Sequence, residues 1–337
     1  MPPAVADEVP AKELFGRVKL PTAGKAQSLG FYAKGCLSGG VAIPVDGPTW
    51  QVLHLSRNRR WGNPEMIALV QRLSQEAREK DGWPGLLIGD ISQPRGGPML
   101  NGHASHQIGL DADIWLTPMP DYRLSYEQRE KFPRNSVLRK DMVTVDPNKW
   151  TQAHARLIMR AASYPEVERV FVHPGIKKKL CDTWPNKAQL SKVRPIWGHH
   201  YHFHIRMKCP EGSVGCERQA APPADSGCGK HLAEWLDRVR PRPVVQTDKK
   251  PQKVAKPKHL TLAALPNACA MVLNAKPVPN AMVAEYRSTT GPIGLSETAY
   301  AAPVQASAVA FSVIEDFADL VPDPAIVPVP GVRPMDQ

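Results

Sequence analysis

The chain has 337 residues, 42% of them hydrophobic and 7% aromatic, so it can hold one large domain or two small ones. Its formal net charge of +11 suits nucleic acid, an anionic membrane surface or an acidic polymer as partner. No run of about 18 apolar residues is present, which excludes a membrane-spanning helix. The chain also lacks an aromatic RNA-binding string, zinc-finger spacing and a basic heptad helix, so nucleic acid is not the predicted partner.

The uneven distribution of prolines along the chain indicates its domain organisation. The chain has 35 prolines, and they crowd the region after residue 240. We therefore expect one packed domain followed by a poorly ordered tail. The predicted boundaries are an extended segment over 1–27, the folded domain over 28–239, a basic proline-rich tether over 240–274 that Cys269 pins to the domain, and a disordered tail over 275–337.

Helix and strand signals follow one another along the domain. Asn63 as N-cap, Pro64 at the first position and Glu65 in the first turn predict a helix that begins at Pro64. Thr151 can cap a second amphipathic helix. Short apolar runs predict strands at 86–89, 113–116, 170–172 and 201–207, with a glycine-rich loop at 92–98 and a polar excursion at 117–149.

The six cysteines are scattered and include no CxxC pair. This pattern predicts three disulfides and an oxidising compartment such as the periplasm, and the alternative is buried free thiols in a cytosolic protein. Spacing alone favours only Cys209–Cys216, as a short loop. The first residues contain no charged region followed by an apolar one, so either a signal peptide has been removed or the start codon is misplaced.

Histidines are concentrated in two short windows. Six of the eleven lie within residues 103–106 and 199–204. If the second window is a strand, His200, His202 and His204 share one face, and the residues between them pack on the core. The sequence therefore predicts a row of imidazoles that faces a cleft.

His106 and Asp113 can approach that row from a neighbouring loop and strand. Two imidazoles, one carboxylate and an open position make a typical catalytic zinc site, where the pKa of the bound water falls to about 7. The alternative is that these histidines are hydrogen-bonded structural residues, as we predict for the isolated ones, which are His54, His154, His173, His231 and His259. The lysine run 177–179 predicts a solvated face.

These residues carry a resemblance to a known family. His106-x6-Asp113 followed by His202-x-His204 is similar to the zinc signature of lysostaphin-type peptidases, D-Ala-D-Ala metallopeptidases and murein endopeptidases. Over about residues 28–269 the chain most resembles the penicillin-insensitive murein endopeptidases. The motifs that carry this resemblance are Ile88-Gly-Asp90, Pro94-x-Gly-Gly97, Gly102-His-Ala-Ser-His106, Gly109-Leu-Asp-x-Asp-Ile114, Lys192-Val-Arg-Pro195 and His202-x-His204.

The resemblance implies an α+β fold with a small central antiparallel sheet and flanking helices, of the Hedgehog/D-Ala-D-Ala-peptidase type. It implies Zn²⁺ on His106, Asp113 and His204, with His202 as catalytic base and His199 beside the site. It also implies three disulfides, which pair Cys36 with Cys269, Cys181 with Cys228, and Cys209 with Cys216.

Two features depart from the family pattern. Family members can hold a second metal with the first histidine of the His-Ala-Ser-His motif and with an Asp and a His from the following excursion. Residues 114–153 contain no histidine. His103 therefore remains a candidate at the metal site that is expected to support the other ligands or to contact substrate. The chain after Cys269 is also longer than the family requires.

The resemblance predicts a periplasmic zinc endopeptidase that hydrolyses D-alanyl–meso-diaminopimelate cross-bridges in peptidoglycan. Two alternatives stay open at this point: a D,D-carboxypeptidase that uses the same metal, and an inactive wall-binding protein. The intact set of His106, Asp113, His202 and His204 argues against the inactive protein, because a binding module has no need of all four.

Overall fold

In the computed structural model of the protein, residues 9–242 and 259–287 are described. They form seven α-helices and ten β-strands, and none of these helices is long and apolar enough to cross a membrane. The helices are α1 (Ala11–Gly16), α2 (Pro64–Asp81), α3 (Tyr126–Glu130), α4 (Gln152–Ser163), α5 (Pro174–Thr183), α6 (Lys230–Val239) and α7 (Ala268–Asn274). The strands are β1 (Gln27–Phe31), β2 (Lys34–Ser38), β3 (Val41–Ala42), β4 (Trp50–Val52), β5 (Trp61–Gly62), β6 (Leu86–Ile88), β7 (Asp111–Trp115), β8 (Val167–Val172), β9 (Val193–Pro195) and β10 (His202–Met207).

A six-stranded sheet in the order β4-β6-β7-β10-β8-β9 forms the centre of the fold. Its inner pairings are antiparallel, whereas β4 with β6 and β8 with β9 are parallel. The mixture of helices and sheet agrees with the predicted class, but the prediction of an antiparallel sheet is wrong at both edges. The connections β4 to β6 and β8 to β9 contain α2 and α5, and parallel pairing needs such a crossover.

The core lies between this sheet and helices α2 and α4. Helix α2 begins as predicted, because the Asn63 side chain accepts a hydrogen bond from the backbone nitrogen of Glu65 at 3.1 Å. In β10, Phe203 and Ile205 are fully buried in the core. Since side chains alternate along a strand, this packing commits His202 and His204 to the other face.

The segment before residue 27 contains helix α1, so the prediction of an extended segment is wrong for this part. Ala11 and Phe15 are fully buried and pack in one cluster with Cys36, Leu265 and Cys269. Contacts with residues that are distant in sequence stabilise this short helix, which would be marginal by itself.

Residues 275–287 also lie against the domain, although the sequence predicted disorder from residue 275. The backbone nitrogen of Tyr286 donates to the Ala42 carbonyl at 2.8 Å, and Arg60 pairs with Glu285 at 3.1 Å. The prediction is wrong here because these partners lie more than two hundred residues earlier in the chain. The remainder of the predicted tether and tail, residues 243–258 and 288–337, lies outside the described residues.

Three disulfides join the cysteine pairs that the family resemblance implies. They are Cys36–Cys269, Cys181–Cys228 and Cys209–Cys216, and no cysteine is free. The first of them links β2 to α7 across a sequence separation of 233 residues. It ties the segment around α7 to the domain.

Lys177 contradicts the prediction that the lysine run 177–179 is solvated. Its side chain is fully buried, and its Nζ donates to the carbonyls of Leu190 at 2.9 Å and Ser226 at 2.6 Å. Burial, aided by the charge of Arg194, lowers the pKa of Lys177 to about 7. A helix turns successive residues to different sides, so one lysine of the three faces inward.

Candidate metal centre

Three predicted ligands converge at one point. His106 Nε2 lies 3.2 Å from His204 Nδ1, and each of these atoms lies 3.4 Å from Asp113 Oδ1. All three side chains are buried. The register of β7 and β10 sets His204 directly opposite Asp113, and the loop before β7 supplies His106. The geometry therefore brings together the three residues that the resemblance implies as ligands.

Hydrogen bonds on the outer side of each histidine orient the inner nitrogen. His106 Nδ1 donates to the Ile91 carbonyl at 2.7 Å, and His204 Nε2 donates to Asp111 Oδ1 at 2.8 Å. These bonds place a proton on each outer nitrogen. The inner nitrogens then present lone pairs, which is the form of imidazole that binds a metal ion.

The environment of the Asp113 carboxylate also indicates a metal site. Its Oδ1 is buried and has no hydrogen-bond partner within the described part of the chain. A buried carboxylate oxygen without a donor is unfavourable by about 1–3 kcal/mol or more. A cation held by Oδ1 and the two inner nitrogens would satisfy this atom, so the donor set fits a metal ion.

His199 and His202, the predicted catalytic residues, border the three ligands. His202 Nε2 lies 3.6 Å from Asp113 Oδ2, and the His199 ring lies 4.7 Å from the His202 ring. His199 Nδ1 donates to the Trp197 carbonyl at 2.9 Å. His202 Nδ1 is buried without a partner among the described residues. Two imidazoles with unused nitrogens therefore lie beside the candidate metal position.

His103 also lies close to the Asp113 carboxylate. Its Nδ1 lies 3.6 Å from Asp113 Oδ2, and its Nε2 donates to Asp90 Oδ2 at 2.9 Å. Asp90 also pairs with Arg59 at 2.9 Å. The ligand atoms of His103, His106 and Asp113 lie within 4.8 Å of one another, as do those of Asp113, His199 and His202. Asp113 is therefore common to both groups.

Burial and charge set the protonation states of the centre. Burial disfavours a charged Asp113, but His106, His202 and His103 hold the pKa of its carboxyl well below the usual range. Burial lowers the pKa of His202 to about 3 and that of His204 to about 4. At neutral pH the centre therefore combines an ionised carboxylate with neutral imidazoles at His202 and His204. At His106 burial acts in the same direction, but the charge of Asp113 outweighs it and raises the pKa of that ring.

Asp111 and Arg206 are functional residues that the sequence analysis missed. Asp111 is fully buried, and its Oδ1 accepts from both His204 Nε2 and Arg206 Nε at 2.8 Å. Its Oδ2 accepts from the backbone nitrogen of His106 at 2.9 Å. His106 has φ of +66°, a left-handed conformation that is uncommon outside glycine, and this hydrogen bond holds it there. The alternation of β7, which sets Asp111 on the same face as Asp113, was the available signal.

His200 does not join the centre, so the predicted row of three imidazoles is wrong at this position. Strand β10 begins at His202, and the His200 ring lies 6.1 Å from the ring of His173. Its backbone carbonyl accepts from Val137 at 2.9 Å. The strand alternation that places His202 and His204 does not extend to a residue outside the strand.

Comparisons with known proteins agree on one family. The family model for penicillin-insensitive murein endopeptidase matches residues 28–274. The chain is 44% identical to the penicillin-insensitive murein endopeptidase of Haemophilus influenzae over 65% of this chain and 76% of that protein. It is 40% identical to the one from Klebsiella pneumoniae, over 67% and 82%, and 37% identical to the one from Salmonella typhi, over 77% and 90%. The chain belongs to the penicillin-insensitive murein endopeptidase family.

Proposed function

We propose that this protein is a zinc endopeptidase that hydrolyses D-alanyl–meso-diaminopimelate cross-bridges of peptidoglycan in the periplasm. The observation that carries the proposal is the convergence of His106 Nε2, Asp113 Oδ1 and His204 Nδ1, with Asp113 Oδ1 buried and without a hydrogen-bond donor among the described residues. The relatives are named murein endopeptidases, which supports murein as the substrate. The three disulfides support an oxidising compartment.

The nitrogen and oxygen donors of this centre are those that catalytic zinc sites use. Two imidazole nitrogens and one carboxylate oxygen, with a further position left for water or substrate, is the usual composition of a catalytic zinc site. When bound there, Zn²⁺ supplies a Lewis acid for the scissile carbonyl and lowers the pKa of a water nucleophile to about 7. His106, Asp113 and His204 would hold it, and Asp111 would keep His204 in the tautomer that binds.

His202 is the proposed proton carrier. It is neutral because burial lowers its pKa, and its Nε2 faces the centre, 3.6 Å from Asp113 Oδ2. A neutral imidazole beside the attacking water accepts the proton that the water loses. It then returns this proton to the leaving amine nitrogen, which must be protonated as the peptide bond breaks.

His199 extends the same imidazole surface toward the substrate. Its Nδ1 proton is engaged by the Trp197 carbonyl, so its Nε2 is left to accept a hydrogen bond from a substrate N–H group. Its ring lies 5.9 Å from the ring of His204. We therefore assign His199 to orientation of the peptide above the metal. No side chain in this scheme is acylated, which accounts physically for insensitivity to β-lactams.

Product analysis on defined muropeptides tests this function. The full-length protein is incubated with zinc and either purified cross-linked dimers or uncross-linked pentapeptide monomers. We expect the dimers to be converted to monomers, and His204→Ala and chelator-treated protein to be inactive. Release of D-alanine from the monomers with intact dimers would establish a carboxypeptidase instead. Absence of both reactions would contradict the proposal.

A further inference from the structure

We propose that Arg134 binds the carboxylate that flanks the scissile amide in the substrate. This inference rests on the proposed function and names a group that the same site recognises. Three features support it: Arg134 lies one aromatic ring away from His202, its charge has no protein partner among the described residues, and the cross-link contains a carboxylate next to the scissile nitrogen.

Arg134 lies on the connection after α3, close to the start of β10. Its guanidinium carbon lies 5.8 Å from the centre of the Tyr201 ring, and that ring lies 4.5 Å from the ring of His202. Three residues further along, Val137 donates to the His200 carbonyl at 2.9 Å, which ties this connection to the strand. One aromatic ring therefore separates the positive charge of Arg134 from the proposed proton carrier.

The charge of Arg134 is available to a ligand. Its side chain is exposed, and among the described residues it has no ion pair and no side-chain hydrogen bond. Three other arginines of this region already have carboxylate partners. Arg57 and Arg59 pair with Asp90 at 3.3 Å and 2.9 Å, and Arg129 pairs with Asp46 at 2.7 Å.

Tyr201 holds the guanidinium in place without using its donors. A cation over an aromatic face is stabilised by about 0.5–1 kcal/mol at an exposed site. Tyr201 is itself packed against Trp115, with 5.1 Å between ring centres, so the platform belongs to the sheet. The positive charge of Arg134 also acts on His200, which lies just before β10. Burial, His199 and Arg134 together lower the pKa of His200.

The cross-link supplies a matching anion. Diaminopimelate has two amino-acid ends, and an amide formed at one amino group leaves a carboxylate on the same carbon. That carboxylate is therefore fixed next to the scissile nitrogen. A planar guanidinium pairs with a carboxylate through two parallel N–H···O bonds, which specifies orientation as well as charge.

The same relation exists in the terminal D-alanine of an uncross-linked stem, whose carboxylate also flanks an amide nitrogen. Arg134 would therefore recognise the carboxylate and not the cross-link itself. We therefore expect discrimination against substrates in which this carboxylate is amidated. A carboxamide is uncharged and has a single acceptor oxygen beside an NH2 donor, so it cannot form the two parallel N–H···O bonds.

Two matched muropeptide dimers test the inference, one with the flanking carboxylate free and one with it amidated. For the full-length zinc protein, we expect kcat/KM to be higher for the free carboxylate by about tenfold or more, as for a charge-assisted hydrogen bond. Arg134→Gln should lower kcat/KM for the free dimer to near that of the amidated one. Arg134→Lys should retain part of the preference, since lysine keeps the positive charge but lacks the planar pair of N–H donors.

Arg139→Gln is the matched control, because Arg139 is an exposed arginine on the same connection. It should keep the wild-type preference, and the zinc content and Tm of every variant should match wild type. An Arg134→Gln enzyme that still prefers the free carboxylate by the wild-type factor overturns this inference and leaves the endopeptidase proposal intact. A wild-type enzyme that cleaves neither dimer overturns the proposed function and this inference with it.

Discussion

Asp111 accepts a hydrogen bond from His204 Nε2 at 2.8 Å, and this contact decides which nitrogen of His204 faces Asp113. Arg206 lies opposite Asp111 in the β7–β10 register and donates to both of its oxygens, at 2.8 Å and 3.2 Å. Arg206 and His204 hold the pKa of Asp111 well below its usual range although burial opposes ionisation. This buried ion pair thereby orients His204, a candidate metal ligand, although neither Asp111 nor Arg206 is itself a candidate ligand.

Asp111→Asn should weaken zinc binding while leaving all three ligands in place. The amide removes the negative charge that favours a proton on His204 Nε2, and loss of such an outer partner commonly lowers metal affinity by about 10- to 100-fold. Competition with a chromogenic chelator measures the Kd. Asp46→Asn is the control, since it also removes a carboxylate that pairs with an arginine, Arg129 at 2.7 Å, but outside the centre. Equal zinc affinity of Asp111→Asn and wild type would remove Asp111 from this role.

Substitutions at His202 and His204 should separate catalysis from metal binding. His204→Ala should lose zinc and activity together, because it removes one of three ligands. His202→Ala should keep its zinc and lose activity by about 10²- to 10⁴-fold, the usual contribution of one acid–base group. Metal analysis after dialysis, alongside turnover of a muropeptide dimer, checks both. Equal zinc loss in the two variants would mean that the roles are wrongly assigned, and normal turnover of His202→Ala would exclude it as base.

His154 should make the protein less stable in acid. Burial lowers its pKa from 6.5 to about 4, and its neutral ring accepts from Thr151 and donates to the Leu116 carbonyl at 3.0 Å. Because the folded pKa is the lower one, the unfolded state binds the proton first as the pH falls. The contribution of His154 is therefore complete above about pH 6.5 and is lost towards pH 4.

Between pH 7 and pH 5 this single group should lower the free energy of unfolding by about 2 kcal/mol. Urea unfolding of wild type and His154→Gln at the two pH values measures the difference. The variant should be less stable at pH 7 but should lose less stability on going to pH 5. Parallel losses in the two proteins would show that another group is responsible.

Replacement of Cys36 and Cys269 by serine should destabilise the fold strongly. This disulfide closes a sequence separation of 233 residues, for which the chain-entropy description gives about 5 kcal/mol. The matched control is the double serine variant of Cys209 and Cys216, which are separated by 7 residues, and its loss should be about half as large. Denaturant unfolding compares the two, and equal losses would show that loop length does not govern the effect.

The candidate ligands could be singled out from the sequence in two local groups, His106 with Asp113 and His202 with His204, although only the β7–β10 register sets His204 opposite Asp113. The alternation of β10 assigns His202 and His204 to one face, and Phe203 confirms it by filling the core. Likewise, Asn63 signals the start of α2 through a hydrogen bond to a residue two positions away.

Other features depend on partners that are remote along the chain. The role of Asp111 follows from a register that sets it opposite Arg206, which lies 95 positions away. Helix α1 depends on Phe15, which packs so closely on the 94–98 loop that a side chain at Gly97 would lie 2.2 Å from its ring. No local pattern specifies such contacts, so they become visible only when the whole domain is folded.

The Cys36–Cys269 bond also has a consequence for the order of events during biosynthesis. A polypeptide emerges N-terminus first at about 5–20 residues per second, so Cys36 is exposed for many seconds before its partner is made. Four other cysteines emerge in between, at positions 181, 209, 216 and 228. Oxidation that keeps pace with synthesis would join Cys36 to one of these first. Native pairing is favoured if Cys36 stays reduced until residue 269 has emerged, and an early bond can otherwise be corrected by a disulfide isomerase.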